Sequence, residues 1–483
     1  MQKKPLIKLE YSYLSLPPKF YQLENPASFS KPEMVMLNVT LLEELQIQER
    51  NQEDLISFFL ANQSENAGPS FAQAYAGHQF GHFTKLGDGR AIVMGEYLNP
   101  FNQRFDIQLK GGGRTLYSRG GDGKATLKAM LREYLMSEAM HHLNIPTSRS
   151  LFVAKTGEWV QREVQHEGSV LARLMKSHIR IGTFEYARHY GTIEDLQAIT
   201  NYTINRLYPK IQHEENPVIS LIKKVMSIQI DLVVNWMRVG FIHGVMNTDN
   251  ISISGETFDY GPCSFLNVYH PDKVFSSIDS HGRYAFGNQP KIIKWNIVRF
   301  AEALLPIIHH DKDKSLQLAQ SAVDEFDEMW NEKYYATMLN KIGIESNDSK
   351  LYPLVDELLD LMIKLKMDYT NSFWDLSQDI SLEDSLKNRS DFKPWLEKWK
   401  STIDNSCGMH EAKELMKIHN PVYIPRNHLF EQALEEAING NLSLFKKLLG
   451  IVSRPYQYQN AMDEFMEPSD SDFERSYKTF CGT

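Results

Sequence analysis

Phe105-Asp-Ile-Gln-Leu-Lys110-Gly-Gly-Gly-Arg114 is the stretch that decides the fold. Phe105, Ile107 and Leu109 face one way and Asp106, Gln108 and Lys110 the other, the period of a half-buried β-strand. The strand ends on a lysine and runs straight into glycines. A lysine rooted at a strand end presents its ammonium from a fixed position. The glycines let backbone N–H groups approach the same anion without a Cβ in the way. A second glycine run, Arg119-Gly-Gly-Asp122-Gly123-Lys124, follows. The pattern then turns helical from Thr126 to about Leu143, where Asn144 and Pro146 stop it. Glu133 shares a stripe of this helix with Met130, Met136 and Ser137, which points it into packing rather than water.

Working outward, Leu86-Gly-Asp-Gly-Arg90 carries an Asp-Gly pair between a strand beginning near Phe83 and a return strand over Ala91–Tyr97. Leu151–Val153 and Glu158–Val164 read as two more strands, and Ile251–Ser254 with Thr257–Asp259 as a small hairpin. Helical periods dominate the rest: 193–207, 217–238, 293–309, 314–342, 350–367, 409–418 and 428–450. This predicts an α+β chain with a small sheet followed by a large helical body. Its expected parts are an N-terminal extension (1–75), a sheet-rich lobe (76–165), a helical core (166–300), a helical C-terminal region (301–452) and a tail (453–483). The tail is polar and acidic, and reads as loosely held.

Composition narrows the function. A length of 483 residues with 42% hydrophobic and 23% charged residues is globular and too long for one small core. The excess of 61 acidic over 52 basic residues argues against nucleic acid as the main partner. No uncharged run approaches the ~18 residues of a membrane span, and the N-terminus lacks the apolar run of a signal peptide. With only Cys263, Cys407 and Cys481, no disulfide framework is expected. The reading is a cytoplasmic protein without membrane or nucleic-acid partners.

The second informative stretch is His243-Gly-Val-Met-Asn-Thr-Asp249-Asn250, followed by Asp259-Tyr-Gly261. Protein kinases carry H-R-D-x-x-x-x-N and then D-F-G, with the first Asp as base and the Asn and second Asp on Mg²⁺. Here His and Asn are in register, but Val245 stands where the base belongs, and a valine takes no proton. Asp249 is the remaining carboxylate of the loop, hence the candidate proton acceptor. Asn250 and Asp259 are oxygen ligands of the kind Mg²⁺ uses beside phosphate oxygens. Lys110 and Glu133 match the lysine–glutamate pair of such sites. Arg173 and Arg180, seven apart, would share a face if they lay on one helix. The bland alternative is a turn-rich loop whose Asn and Asp bond local backbone.

Longer strings go further. Ala74-Tyr-Ala-Gly-His-Gln-Phe-Gly81, Leu86–Arg90, Gln108–Arg114, Tyr117–Lys124, Ser177-His-Ile-Arg180, His243–Asn250 and Asp259-Tyr-Gly-Pro262 together resemble the selenoprotein O family. So do Gly282-Arg-Tyr284, Asn288-Gln-Pro290, Arg426-Asn427 and the closing Thr479–Thr483, least clearly between about 300 and 420. The resemblance implies a protein kinase-like two-lobed fold, a small β-rich lobe and a large helical one, with extensions at both ends. It also implies ATP bound in reverse, AMP passed to Ser, Thr or Tyr hydroxyls of proteins, and Mg²⁺ or Mn²⁺ as the metal. Gly87, Gly89, Arg90, Lys110, Asp122, Gly123, Arg173 and Arg180 match its nucleotide-contacting positions, with Glu133 as partner of Lys110. Asp249 matches the proton acceptor, and Asn250 and Asp259 the metal ligands. Uridylyl transfer from UTP, a γ-phosphoryl kinase and a turnover-free nucleotide-binding scaffold are the alternatives, and self-modification is a further expectation. Cys481 falls where some relatives carry selenocysteine. The segment that holds a cysteine in certain bacterial relatives reads Val274-Phe-Ser-Ser277 here.

Overall fold

The computed structural model describes residues 7–48, 51–60, 68–378 and 391–480. Eleven strands precede residue 176: β1 (Leu9–Glu10), β2 (Tyr21–Leu23), β3 (Glu33–Leu37), β4 (Phe71–Gln73), β5 (Ala76–Gln79), β6 (His82–Lys85), β7 (Ala91–Leu98), β8 (Arg104–Lys110), β9 (Ala125–Thr126), β10 (Arg149–Gln161) and β11 (Gln165–Met175). Nine form one antiparallel sheet with the path β2-β4-β7-β8-β11-β10-β3, while β1 pairs β7 and β9 pairs β11. β5 and β6 stand apart as a separate hairpin.

The alternation in β8 sets what each face of this sheet does. Ile107 and Leu109 join an apolar cluster with Ile92, Met94, Phe152 and Leu174. That face is closed by α1 (Val39–Glu44) and α2 (Gln52–Leu60) through Leu41, Leu42, Phe58 and Phe59. Asp106, Gln108 and Lys110 are buried on the other face. Behind that face lies α3 (Leu127–His142), where the helical period placed it. Thr126 Oγ1 accepts from the Ala129 N–H at its start, and Asn144 takes φ +60° just past its end.

Beyond the sheet the chain is helical: α4 (Ile181–Tyr190), α5 (Ile193–Leu207), α6 (Pro217–Arg238), α7 (Gln289–Ile308), and helices in pairs to Val452. A second apolar cluster runs from α3 through α6 and α7 into these later helices. No helix among the described residues is long and apolar enough to cross a membrane.

Several expectations need correction. The Asp88-Gly89 pair is not a hairpin turn, because β6 pairs back onto β5 around Phe80-Gly81. Asp88 instead accepts from Gln73 N at 3.1 Å and Gln108 Nε2 at 3.1 Å, so its carboxylate is structural glue between sheet segments. The two strands read over 151–164 are one strand, β10, with an irregularity between Lys155 and Trp159. The 251–259 hairpin is replaced by isolated bridges, Arg180 to Ser252 and Thr147 to Thr257. The period read as one helix over 314–342 is split into Lys312–Asp324 and Phe326–Lys341, and that over 428–450 into Asn427–Ile438 and Ser443–Val452. The tail is docked, not loose. Phe465 and Tyr477 are buried, Lys273 pairs with Glu474 at 2.5 Å, and the Thr479 N–H donates to Phe275 O at 2.9 Å. Cys481 lies outside the described residues, and Cys263 is a buried free thiol.

Candidate active site

A cavity of about 660 Å³ opens where the sheet meets the helical body. Gly87, Gly89, Arg90, Lys110, Asp122, Gly123, Arg173, Arg180, Asp249, Asn250 and Asp259 all line it, and of the predicted site residues only Glu133 stands behind the wall. Residues up to 172 positions apart in sequence converge here.

Lys110 at the end of β8 and Arg173 on β11 form the inner wall, since β8 and β11 are neighbours in the sheet. Lys110 Nζ contacts Glu133 Oε2 at 2.6 Å and also bonds Asp259 Oδ1. Arg173 Nη1 contacts Glu133 Oε1 at 2.7 Å and Asp259 Oδ1 at 2.7 Å. Two cations thus share two carboxylates in a buried cluster. Against the cost of burial, Arg173, Lys110 and Arg180 hold Asp259 well below the ordinary carboxylate range. Burial likewise opposes, and Lys110 and Arg173 outweigh it, in lowering Glu133. Both acids are therefore ionised at neutral pH.

Arg173 and Arg180 do not share a helix. Arg173 is on a strand and Arg180 is the residue before α4, yet both face the cavity. Arg180 stacks on Tyr75 with 4.0 Å to the ring centroid and faces Asp88 at 3.4 Å. Its Nε is buried without a partner among the described residues. Gln108, on the polar face of β8, accepts from Arg173 at 2.7 Å and so fixes its orientation.

The opposite wall is the loop after α6, bracketed by the short pair Phe241–Ile242 and Ser264–Phe265. His243 Nε2 meets Phe258 O at 3.1 Å, which pins the loop's two ends together. Val245 is buried and its carbonyl accepts from Asn250 Nδ2 at 3.1 Å. That bond uses the amide's donor side, and Asn250 itself lines the cavity. Asp259 takes φ +60°, an uncommon backbone for a non-glycine residue that Asp tolerates better than most.

Asp249 differs from Asp259. Burial pushes it up to about 6, with Arg180 opposing. Its Oδ1 is buried without a partner among the described residues. Gly77 of β5 makes this approach possible: a methyl there would lie 2.5 Å from Asp249 Oδ1. On the glycine-rich side, Arg162 from the tip of the β10–β11 hairpin holds Asp122 at 2.7 Å and pulls it below the usual carboxylate range.

Sequence reasoning missed Asp88, Gln108, Arg162 and Asn247. Asp88 and Asn247 sat inside the quoted strings but were read as turn and filler, and Gln108 was visible on the polar face of β8. Arg162 carried no signal, since only the hairpin brings it to the cavity.

Donors that suit a divalent cation are present: Asp259 as an ionised carboxylate and Asn250 with an amide oxygen that its bond to Val245 does not use, both on the cavity wall. The cations beside them suit a polyphosphate. The residues present thus fit a polyphosphate and a divalent cation, and beside them burial raises the Asp249 carboxyl to about 6.

The chain is similar throughout to known proteins. A family model described as "Protein adenylyltransferase SelO" matches residues 5–453. A relative from Bacillus cereus (strain B4264), a protein nucleotidyltransferase YdiU, is 47% identical over 479 residues, 98% of either chain. The protein of that name from Clostridium botulinum (strain Eklund 17B / Type B) is 46% identical over 481 residues, 99% of this chain and 98% of its own. That from Pelagibacter ubique (strain HTCC1062) is 48% identical over 475 residues, again 98% of either.

Proposed function

The chain belongs to the SelO family of protein adenylyltransferases, and from that premise we propose that it transfers AMP from ATP to Ser, Thr or Tyr hydroxyls of proteins in the cytoplasm. The observation that carries the reading is the charge on the inner wall. Lys110, Arg173 and Arg180 are all buried there, beyond the single lysine that a simple phosphate grip requires. With ATP entering terminal phosphate first, these groups and Arg90 take the β- and γ-phosphates. The α-phosphorus is left near Asp249 and the mouth. The two-lobed kinase-like arrangement follows as part of this proposal: the nine-stranded sheet with α3 as one lobe, the helices from Ile181 as the other. The lobe boundary then belongs after Met175, because β11 pairs with β8 and β10 in the sheet.

In the transfer the acceptor oxygen bonds the α-phosphorus and the bond to the bridging β-phosphate oxygen breaks, so pyrophosphate leaves. Asp249 takes the hydroxyl proton; its unpartnered Oδ1 supports that role. Asn250 and Asp259 would hold Mg²⁺ or Mn²⁺, which supplies charge neutralisation at the phosphates. Lys110 and Arg173 reach the phosphates from positions fixed in advance by Glu133 and Gln108. Such preorganised charge carries most of phosphoryl-type catalysis. Because the relatives are named nucleotidyltransferases in the broad sense, UTP is the second nucleotide to try.

The test is a pair of labelling reactions on the purified protein, itself the first acceptor. Label from the α-phosphorus of ATP should enter protein and pyrophosphate should appear. Label from the γ-phosphorus on protein would make it a kinase, and thermal stabilisation by ATP with neither label would make it a scaffold.

A further inference from the structure

Beside the cavity mouth the β5–β6 hairpin and two helices build a ledge that the nucleotide reading does not use. His78 and Phe83 are directly opposed across the hairpin, with ring centroids 5.2 Å apart. Phe83 continues onto α4, stacked on Tyr190 at 6.2 Å and close to His189 at 4.4 Å. In the other direction His78 meets Trp295 of α7 edge-on at 5.3 Å. These rings are not closed over: Tyr190 is 44% exposed, and His78, Phe83 and Trp295 are half-buried.

Cations flank the rings. Lys85 lies over Tyr190 at 5.1 Å, and Arg283 over Trp295 at 4.8 Å. Arg188 is exposed next to His189 on α4. None of the three side chains pairs with a carboxylate among the described residues, although the Arg283 backbone N–H donates to Asp279 Oδ1 at 2.9 Å, and Arg283 Nε is buried without a hydrogen-bond partner among them. Around them, Arg299 pairs with Glu302 at 2.7 Å, and the buried Glu185 meets His78 at 2.5 Å through Oε1, its Oε2 being buried without a partner among the described residues. Exposed Lys85 and Arg188 and half-buried Arg283 make this a positive surface on a chain of net charge −9.

The ledge is tied to the reacting groups through the backbone of β5. His78 N donates to Thr248 Oγ1 at 2.7 Å and Phe80 N to Asn247 Oδ1 at 3.1 Å, directly following Gly77's contact with Asp249 along the strand. Gln79 and Phe80 line the nucleotide cavity whereas His78 belongs to the ledge. At about 3.3 Å per extended residue, a chain lying on the ledge reaches the cavity mouth within a few residues.

We propose that this ledge is where the acceptor protein docks, and that it takes an extended acidic segment whose carboxylates engage Lys85, Arg188 and Arg283 while an apolar or aromatic residue packs on Phe83 and Trp295. The inference rests on the transferase reading and names the substrate class for it. Such a surface offsets the long-range repulsion that an acidic protein exerts on an acidic substrate. Exposed pairs of this kind weaken with salt.

The experiment compares Ser-containing peptides flanked by Glu, by Gln or by Lys, using α-labelled ATP and the full chain. Glu-flanked peptides should be modified with kcat/KM about tenfold or more above Lys-flanked ones, the gap closing as salt rises. The variant Lys85→Glu/Arg188→Glu/Arg283→Glu should lose that preference or invert it, while ATP still raises its Tm as in the wild type. Lys85→Gln/Arg188→Gln/Arg283→Gln guards against misfolding from charge reversal and should lose the preference alone. Modification that is indifferent to flanking charge, or a preference that survives both variants, overturns the ledge and leaves the transferase standing. No labelling of any peptide or of the chain itself overturns the transferase reading and the ledge with it.

Discussion

Two loops face each other across the cavity and are built in opposite ways. The loop from His243 to Gly261 is buried and bonded at nearly every turn. Asn296 Nδ2 holds Met246 O at 3.0 Å, Tyr284 donates to Asn247, and Asn250 closes on Val245. The loop from Gly111 to Lys124 is exposed at Arg114, Leu116, Arg119, Gly120 and Gly121. A few anchors hold it, among them Thr115 Oγ1 on Asp88 O at 2.6 Å and Arg162 on Asp122. The difference sorts the work. On the proposed reading, the groups that need fixed geometry, the proton acceptor and the metal donors, sit on the buried loop, where reorganisation during reaction is smallest. On the same reading, groups that gather a flexible polyphosphate sit partly on the exposed one, where movement would admit and release it.

The largest expected effect breaks the contrast from the buried side. Asp259→Ala removes the ionised donor and leaves Lys110 and Arg173 short of a counter-charge, so transfer should fall by about 10³-fold or more. Lys110→Ala should fall comparably, and a rate near wild type for either would remove that residue from the site. Next comes Asp249→Asn, with a loss of about 10²- to 10⁴-fold. Because burial raises Asp249 to about 6, it is protonated and idle below that pH, so the wild-type rate should climb as pH rises through about 6. The variant should lack this limb. Its neutral amide has no charge to bury, so it should melt no lower than wild type at pH 8, which separates chemistry from unfolding.

The exposed loop predicts smaller and graded effects. A Cβ at Gly123 (φ +70°) would fall 2.2 Å from the Gly113 backbone, whereas Gly120 (φ +86°) faces open space. Gly123→Ala should raise KM for ATP about tenfold. Gly120→Ala meets only the left-handed backbone penalty of about 1–2 kcal/mol, shared with a loop free to relax, and should change KM less. Equal effects would mean that the loop is as rigid as its counterpart. Smallest is Arg162→Ala, which frees Asp122 and should raise KM several-fold with kcat little changed. A drop in kcat instead would give Arg162 a part in the reaction itself.

How much of this was legible can be judged from particular residues. Lys110, Glu133, Asn250 and Asp259 were readable because each stands in a local pattern: a strand period, a helix stripe, a loop of recognisable length. Arg173 and Arg180 were singled out by a spacing of seven that would share one helix face, a reason that does not hold, and only the resemblance to a family gave them a nucleotide-contacting role. Nothing in the spacing of the tail announced that its Thr479 would bond Phe275, because that contact crosses some two hundred residues. Arg162 and the ledge were invisible for the same reason.

By itself the sequence determined the strand that ends on Lys110, the helix that carries Glu133 and the helix that leads into the His243 loop, and the identity of the charged groups there. Those follow from periods of two and 3.6 residues and from residue chemistry, which are short-range properties. Only the tertiary structure decided that Lys110 and Arg173 would share Glu133 and Asp259, that Asp249 would be buried against Gly77, and that β5 would join an aromatic, cationic surface to the cavity. Strand order and the packing of sheet on helix set these, and they depend on contacts between residues far apart in the chain.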